Sequence, residues 1–160
     1  MVKPGPAVDQ RQKARDAAFR LLAVRARSRR ELRERLKQKG FDAELIDATL
    51  DDLQEKGYQS DEDFARQYAG EKWRNAKWGP SRLRAALASK GIEWSLADRI
   101  TREIVGEDDL FEMVMPLAEK RWRTSAGLPI RKRKQRLIGF LQRRGYSWDV
   151  IGPVLEKLQS

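Results

Sequence analysis

The stretch SRRELRERLKQKGF, residues 28–41, contains the pattern on which the organisation of the whole chain depends. Leu32 and Leu36 lie eight and four positions before Gly40, which places both on one face of a short helix. Ser28, followed three residues later by a glutamate, predicts a capping box at the start of that helix. Gly40 suits the left-handed residue that ends a helix, so the stretch predicts a short helix, a glycine stop and a second helix.

This pattern occurs three times along the 160 residues, with a basic residue before each glycine. Gly91 lies 51 residues after Gly40, and Gly145 lies 54 residues after Gly91. Beyond each glycine, positions 5, 6, 9, 10 and 13 form one helical stripe, and only two threonines among these fifteen positions are not apolar. The spacing therefore predicts an internal repeat. The leucines that precede the two later glycines are Leu83, Leu87, Leu137 and Leu141.

A third helix is predicted before each of these helix pairs, starting near Gln12, Ser60 and Leu110. The prediction is an all-α protein, an elongated, curved array of three tandem three-helix repeats, because one repeat alone would bury too small a core. Pro116 falls inside the first helix of the third repeat, which predicts a kink or a late start there. The predicted segments are a disordered tail at residues 1–11 and repeats at residues 12–59, 60–107 and 108–160.

The composition excludes most kinds of catalysis. The chain has no cysteine and no histidine, which removes disulfides, thiolate nucleophiles and every Ser-His arrangement. The carboxylates at residues 61–63 and 108–109 lie at predicted helix starts, where acidic side chains are favoured without any metal. No Gly-rich phosphate loop occurs. We therefore predict no metal site and no cofactor, and an enzyme with this composition would have to work through carboxylates or lysine.

The apolar runs of the sequence bear on secretion and membrane insertion. The N-terminal segment has no apolar core of the kind found in secretory signal peptides. The longest apolar runs have four or five residues, such as 21–24, which is far short of a membrane span. A cytoplasmic protein without membrane contact is the expectation.

Charge is distributed in blocks. The chain has 34 Lys and Arg against 24 Asp and Glu, a net charge of +10. Residues 1–41, 71–91 and 116–147 carry +9, +5 and +9, whereas residues 42–70 and 92–115 carry −7 and −5. In a stacked array the basic blocks around the middle helices would form rows, which suit a filamentous polyanion. The alternative is that these blocks are solvated faces that pair with the acidic blocks beside them.

The residues alone leave several functions open. Trp73, Trp78 and Trp122 lie among basic residues and would either stack on unpaired bases or, as we expect, pack in the repeat interfaces. The array would be a general DNA-binding protein with helix-turn-helix-like units, or a scaffold that binds only protein.

Four segments taken together resemble the RecX family of RecA regulators. They are residues 28–41, DEDFARQYAGEKW at 61–73, GPSRLRAALASKGI at 79–92 and RKRKQRLIGFLQRRGYSWDVI at 131–151, in matching order and spacing. The resemblance covers the chain from about residue 14. It implies three tandem three-helix repeats that bind the RecA nucleoprotein filament along its groove and inhibit its recombinase, ATPase and co-protease activities. It also implies binding to single- and double-stranded DNA and no catalysis.

The resemblance carries no catalytic signature, so only basic positions are marked as candidates for contact with RecA or DNA. We expect a monomer, with a domain-swapped dimer as the alternative. The candidates are Arg25, Arg29, Arg30, Arg33 and Lys37 in the first repeat, Lys72, Arg74, Lys77, Arg82 and Arg84 in the second, and Arg121, Arg131, Lys132, Lys134, Arg143 and Arg144 in the third.

Overall fold

A computed structural model describes residues 5–160, in which the chain is helical and contains no strand. Helices α1–α3 form a first unit, α4–α6 a second and α7–α9 a third. A π-helical turn at Lys72–Ala76 extends α4. The helices are α1 (Pro6–Val24), α2 (Arg29–Gln38), α3 (Ala43–Glu55), α4 (Asp61–Glu71), α5 (Pro80–Ser89), α6 (Trp94–Val105), α7 (Leu110–Thr124), α8 (Ile130–Arg143) and α9 (Trp148–Gln159).

The predicted helix starts are confirmed by their caps. The side chain of Ser28 accepts a hydrogen bond from the backbone N–H of Glu31 at 3.2 Å, at the start of α2. Ser60 does the same for the N–H of Asp63 at 3.2 Å, at the start of α4. Proline occupies the first turn of α5, where its missing N–H costs no hydrogen bond.

The predicted glycine stops are confirmed as well. Gly40, Gly91 and Gly145 follow α2, α5 and α8 with φ angles of 94°, 87° and 96°. In each repeat the residue after the glycine donates its N–H to the carbonyl of the leucine four positions before the glycine, over 3.3, 3.1 and 3.1 Å. This is the Schellman arrangement, and it turns the chain from the middle helix into the third helix.

Each unit has a hydrophobic core of its own. The leucines four and eight positions before each glycine are at most 1 % exposed, and each pair packs against apolar side chains of the first and third helices of its unit. Leu110, at the start of α7, packs against both the second and the third core. No described helix is long and apolar enough to cross a membrane.

Two details differ from the sequence prediction. Helix α1 begins at Pro6, so residues 6–11, predicted to lie in a disordered tail, are helical because a first-turn proline starts the helix early. The tail residues 1–4 lie outside the described residues. The predicted late start at Pro116 is wrong: α7 begins at Leu110, capped by Asp109, and runs through Pro116 without interruption. The burial of Val114 and Ala118 on either side holds this helix in place.

The units are joined end to end through their middle helices. At the first junction Ser28, the cap of α2, donates its hydroxyl to the carbonyl of Lys90 at 2.6 Å, and the Arg30 guanidinium donates to the carbonyl of Ser89. At the second junction the backbone N–H of Gly79 donates to the carbonyl of Arg144 at 2.5 Å. In both places the start of one middle helix meets the end of the next, so each satisfies groups that a helix end leaves unpaired.

Two of the three glycines also leave room for these junctions. A Cβ on Gly91 would lie 2.6 Å from the Cβ of Arg30, and a Cβ on Gly145 would lie 2.5 Å from the backbone nitrogen of Arg82. A Cβ on Gly40 would meet nothing within 4 Å. The three glycines share one conformation, but only the later two are also needed for close packing.

We predict that Gly145→Ala destabilises the protein more than Gly40→Ala. Both variants place a Cβ on a left-handed residue, at a cost of about 1–2 kcal/mol. Only Gly145→Ala also forces backbone apart at the second junction, which adds about 1–3 kcal/mol. Urea unfolding would measure both free energies, and equal losses would show that the junction does not depend on the missing side chain.

Candidate functional site

The predicted basic residues of the first unit are largely neutralised by carboxylates. Arg29 pairs with Asp51 at 2.7 Å, and Arg33 pairs with Asp47 at 2.6 Å. Both acids belong to α3, the acidic block that follows the basic helix in sequence. Arg25 pairs with Glu31 and Arg30 with Glu34. Arg29 and Arg33 therefore follow the alternative in which basic and acidic blocks pair with each other. Arg25 and Arg30 pair within their own block, and Lys37 has no ion pair within 4.0 Å among residues 5–160.

The candidates of the second unit are arranged differently. Arg84 pairs with Asp98, with 3.6 Å between the charged atoms. Lys72 and Arg82 instead lie over the ring of Trp78, at 5.1 and 4.0 Å from its centroid. Arg74 lies against Gly70 of its own helix. Lys77 adopts a left-handed conformation, with φ 55°, where the chain turns from the π-helical segment towards α5.

The third unit keeps its basic side chains free of carboxylates. Among residues 5–160 no ion pair within 4.0 Å involves α7, α8 or α9. Four cations and one amide line an open depression of about 590 Å³ between α7 and α8: Arg121, Lys132, Gln135, Arg136 and Arg143. Arg136 was not among the candidates, although it lies in the same basic run. Uncompensated cations around a depression suit phosphate oxygens or acidic side chains.

Not every cation in the basic run of α8 is free to bind a partner. The guanidinium of Arg133 donates to the carbonyl of Trp122 at 3.0 and 2.7 Å and lies 3.9 Å from the centre of its ring. Arg133 therefore ties α8 to the end of α7. Arg131 and Lys134 share this run without such a contact among the described residues.

Three of the candidates take part in the junctions between units. Arg30 and Arg82 pack against Gly91 and Gly145. Arg144 donates to the carbonyl of Ala76 at 2.5 Å. These guanidinium groups support the array whether or not they also touch a partner, because each donates to a carbonyl of the neighbouring unit.

The tryptophans differ in burial. Trp73 and Trp122 are buried, at 6 % and 8 % exposure, which confirms a packing role, but they belong to the cores of the second and third units and not to the repeat interfaces where we expected them. Trp78 is half-buried. Trp94 and Trp148 are more than half exposed. Each of these two lies three residues after a junction glycine, so the repeat spacing in the sequence marks them as equivalent positions at the start of a third helix.

The acidic clusters have partners within the protein. Asp61 accepts from the backbone N–H of Arg29 at 2.8 Å, across the first junction. Hydrogen bonds from Arg99 and Arg66 lower the pKa of Glu62. Asp109 caps α7. In the part of the chain that the structure describes, no group of three or more metal-ligating side chains comes together.

Two titratable groups lie at the junctions. Burial raises the pKa of Glu31, but the hydrogen bond and charge of Arg25, with the charge of Lys90, outweigh burial and leave that pKa below its ordinary value. Burial raises the pKa of Tyr146, so its hydroxyl stays protonated and donates to the carbonyl of Lys77 at 2.8 Å.

Comparison with known proteins gives a consistent result over most of the chain. Three RecX family models match in succession: the first three-helix domain at residues 14–53, the second at 60–99 and the third at 107–155. Regulatory protein RecX of Chlorobaculum tepidum is 39% identical over 142 residues, covering 89% of this chain and 86% of that protein. The chain belongs to the RecX family. Its relatives are regulatory proteins and not enzymes.

Other RecX proteins support the same assignment. Regulatory protein RecX of Amycolatopsis mediterranei is 36% identical over 154 residues, which cover 95% of this chain and 86% of that protein. The crystal structure of RecX from Lactobacillus salivarius has the same fold, with a TM-score of 0.84 at 22% identity over 95% of this chain and 98% of that one. The prediction of three tandem three-helix units is thereby confirmed.

We predict that Glu31 makes the first junction sensitive to acid. Because its pKa is lowered in the folded protein, its contribution is fully present above the ordinary glutamate value of about 4.3 and is lost as the pH falls through the lower folded value. Glu31→Gln should lower the free energy of unfolding by about 1 kcal/mol at neutral pH. That deficit should shrink below a pH of about 4.3.

The matched control is Glu34→Gln, because Glu34 lies on the same helix, is 65% exposed and pairs only at 3.8 Å. Denaturant unfolding between neutral and acidic pH measures both variants. A deficit of Glu31→Gln that does not change with pH would contradict the assignment.

Proposed function

We propose that this RecX-family protein binds the RecA–DNA filament and inhibits its recombinase, ATPase and co-protease activities by occupying the filament groove. The observation that carries this proposal is the set of unpaired cations on the third unit, at one end of an array of three units. A RecA–DNA filament presents both DNA phosphates and protein carboxylates, so it offers the charge that this surface lacks.

The distribution of ion pairs supports a larger contribution of the third unit to binding. An arginine already paired with a carboxylate must lose or share that partner before it contacts a phosphate, whereas the cations of α8 have no carboxylate to lose. We therefore place the main electrostatic contact on the third unit, with Lys132, Arg136 and Arg143 at its centre. Long-range attraction by these charges would speed encounter with the filament, and the shape of the array would supply specificity.

The junctions support a target that repeats along its axis. In residues 5–160 the hydrogen bonds between units join the first to the second and the second to the third, but never the first to the third. Units that contact only their neighbours present an extended surface. Such a surface, laid along a groove, would hold neighbouring RecA protomers in an arrangement unfit for ATP turnover.

The alternative function is that of a general DNA-binding protein with helix-turn-helix-like units, and one observation weighs against it. In such motifs the last helix of the unit enters the major groove between phosphates. Here α3 carries five acidic side chains and no basic one. That charge opposes insertion between phosphates, so contact through the basic middle helices is favoured. We retain single- and double-stranded DNA as partners on that basis, and we propose that a monomer is the acting form.

The first test is ATP hydrolysis by a cognate RecA on single-stranded DNA at physiological salt, with this protein added below the amount that saturates naked DNA. We expect inhibition, because the filament is the target. Unchanged hydrolysis together with retained binding to bare DNA would favour the general DNA-binding protein. Unchanged hydrolysis with no DNA binding even at low salt would favour a scaffold that binds only protein.

A pair of charge-matched variants tests the role of the third unit. Lys132→Gln with Arg136→Gln removes two unpaired cations, and Arg29→Gln with Arg33→Gln removes two paired ones. We expect the first variant to weaken inhibition about tenfold and to reduce the salt dependence of duplex binding by about 1.8 in the log–log slope, since each lost phosphate contact removes about 0.9. The second variant should lose less than half as much inhibition and salt dependence. Equal losses would show that the ion pairs do not determine which cations contact the partner.

A further inference from the structure

Aromatic rings and cations alternate along the surface of the second unit. The ammonium of Lys72 lies between two rings, at 5.6 Å from the centre of Tyr68 and 5.1 Å from the centre of Trp78. Lys90 also lies over Tyr68, at 5.8 Å, and Arg82 lies over Trp78, at 4.0 Å. These five side chains form a continuous series that connects the first junction, at Lys90, to the second, at Arg82.

The series continues across the second junction. Arg82 packs against Gly145, and the residue before that glycine, Arg144, lies 5.1 Å from the centre of the Phe140 ring. Arg121 lies over the same ring at 5.0 Å and lines the depression of the third unit. We call the rings of Tyr68, Trp78 and Phe140, with the cations beside them, the aromatic–cation track.

The rings of the track differ from the rings of the core. Tyr68, Trp78 and Phe140 are half-buried, whereas Trp73 and Trp122 are buried. No cation of the track lies within 4.0 Å of a carboxylate in residues 5–160. Each ring packs partly against a unit core and leaves the rest of its surface open to a partner. Lys72 and Lys90 are free to bind, whereas Arg82 and Arg144 would have to give up or share a carbonyl of the neighbouring unit.

Relative strengths indicate what would displace the lysines from the rings. A loose cation–π contact at an exposed site is worth about two- to fivefold in an equilibrium constant. Stacking of a nucleic-acid base on an aromatic side chain is worth about fivefold to a hundredfold or more per base. A base would therefore replace a lysine on a ring, and the displaced ammonium, on its flexible chain, would stay within reach of the adjoining phosphate.

We propose that the aromatic–cation track binds single-stranded nucleic acid, with bases stacked on Tyr68, Trp78 and Phe140 and phosphates held by the cations between them. This proposal rests on the proposed function, because it specifies which side chains contact the DNA. A duplex keeps its bases paired and stacked, so it can use the charges of the track but not the rings. The track therefore gives a preference for single strands that net charge alone does not provide.

The experiment compares the affinity for a fluorescent oligothymidylate of about 16 nucleotides, at the long end of single-strand site sizes, with that for a duplex of equal length. Trp78→Leu and Phe140→Leu keep an apolar side chain but remove the stacking surface. We expect each to weaken single-strand binding about tenfold and to leave duplex binding within about twofold. The matched control is Trp94→Leu, which removes an exposed tryptophan outside the track and should change neither affinity.

A fourth variant separates charge from stacking. Lys72→Gln should weaken binding of both ligands. It should also reduce the slope of log affinity against log salt concentration, by about 0.7 for the single strand and about 0.9 for the duplex. Unaltered duplex binding by Trp78→Leu and Phe140→Leu shows that both remain folded, because an unfolded variant would lose both ligands.

The proposal is overturned if the two ring variants keep the single-strand preference of the unaltered protein, or if Trp94→Leu reduces that preference as much as they do. Both results concern the isolated protein and short DNA. They are therefore independent of the RecA assay. If the protein inhibits RecA but its ring variants bind DNA like the unaltered protein, the proposed function stands and the proposed role of the track fails.

Discussion

The pairing of helix ends across Gly91 and Gly145 is the contact on which the arrangement of the units depends. A helix start leaves N–H groups unpaired and a helix end leaves carbonyls unpaired. At the second junction Gly79 and Ser81 donate their N–H groups to the carbonyls of Arg144 and Gly145. The partial positive charge of one helix start thus faces the partial negative charge of another helix end. A side chain on either junction glycine would separate these groups, so the missing Cβ determines the spacing of the units.

This end-to-end arrangement also explains why charge is used differently along the chain. Helix α2 packs beside the acidic α3, and Arg29 and Arg33 of α2 are paired with Asp51 and Asp47. Helix α8 is followed by α9, which carries one aspartate in its first turn and lacks a comparable acidic series. Helix α2 therefore has three paired arginines beside the unpaired Arg35 and Lys37, whereas every cation of α8 is unpaired among residues 5–160. This concentration of uncompensated charge is the reason that we propose the third unit as the main electrostatic contact.

The sequence predicted what depends on local chemistry. The leucine spacing, the serine caps and the left-handed glycines lie within about one helix of each other, and the structure confirms all three. The uses of Arg30, Arg82 and Arg144 depend on carbonyls about sixty residues away. The glycines at 40 and 145 have the same sequence context, yet only one of them has a neighbour within 4 Å. Contacts of this kind are set by the packing of units, which the repeat pattern alone does not specify.

Arg82 shows how packing and recognition are coupled. Its backbone and Cβ close the second junction over Gly145, and its guanidinium donates to the carbonyl of Arg143 at 3.1 Å while it covers Trp78. A nucleic acid that drew this guanidinium away would weaken one hydrogen bond of the junction but would leave the backbone bonds of Gly79 and Ser81 in place. The two backbone bonds would still join the second and third units, so binding at Arg82 and cohesion of the junction are compatible.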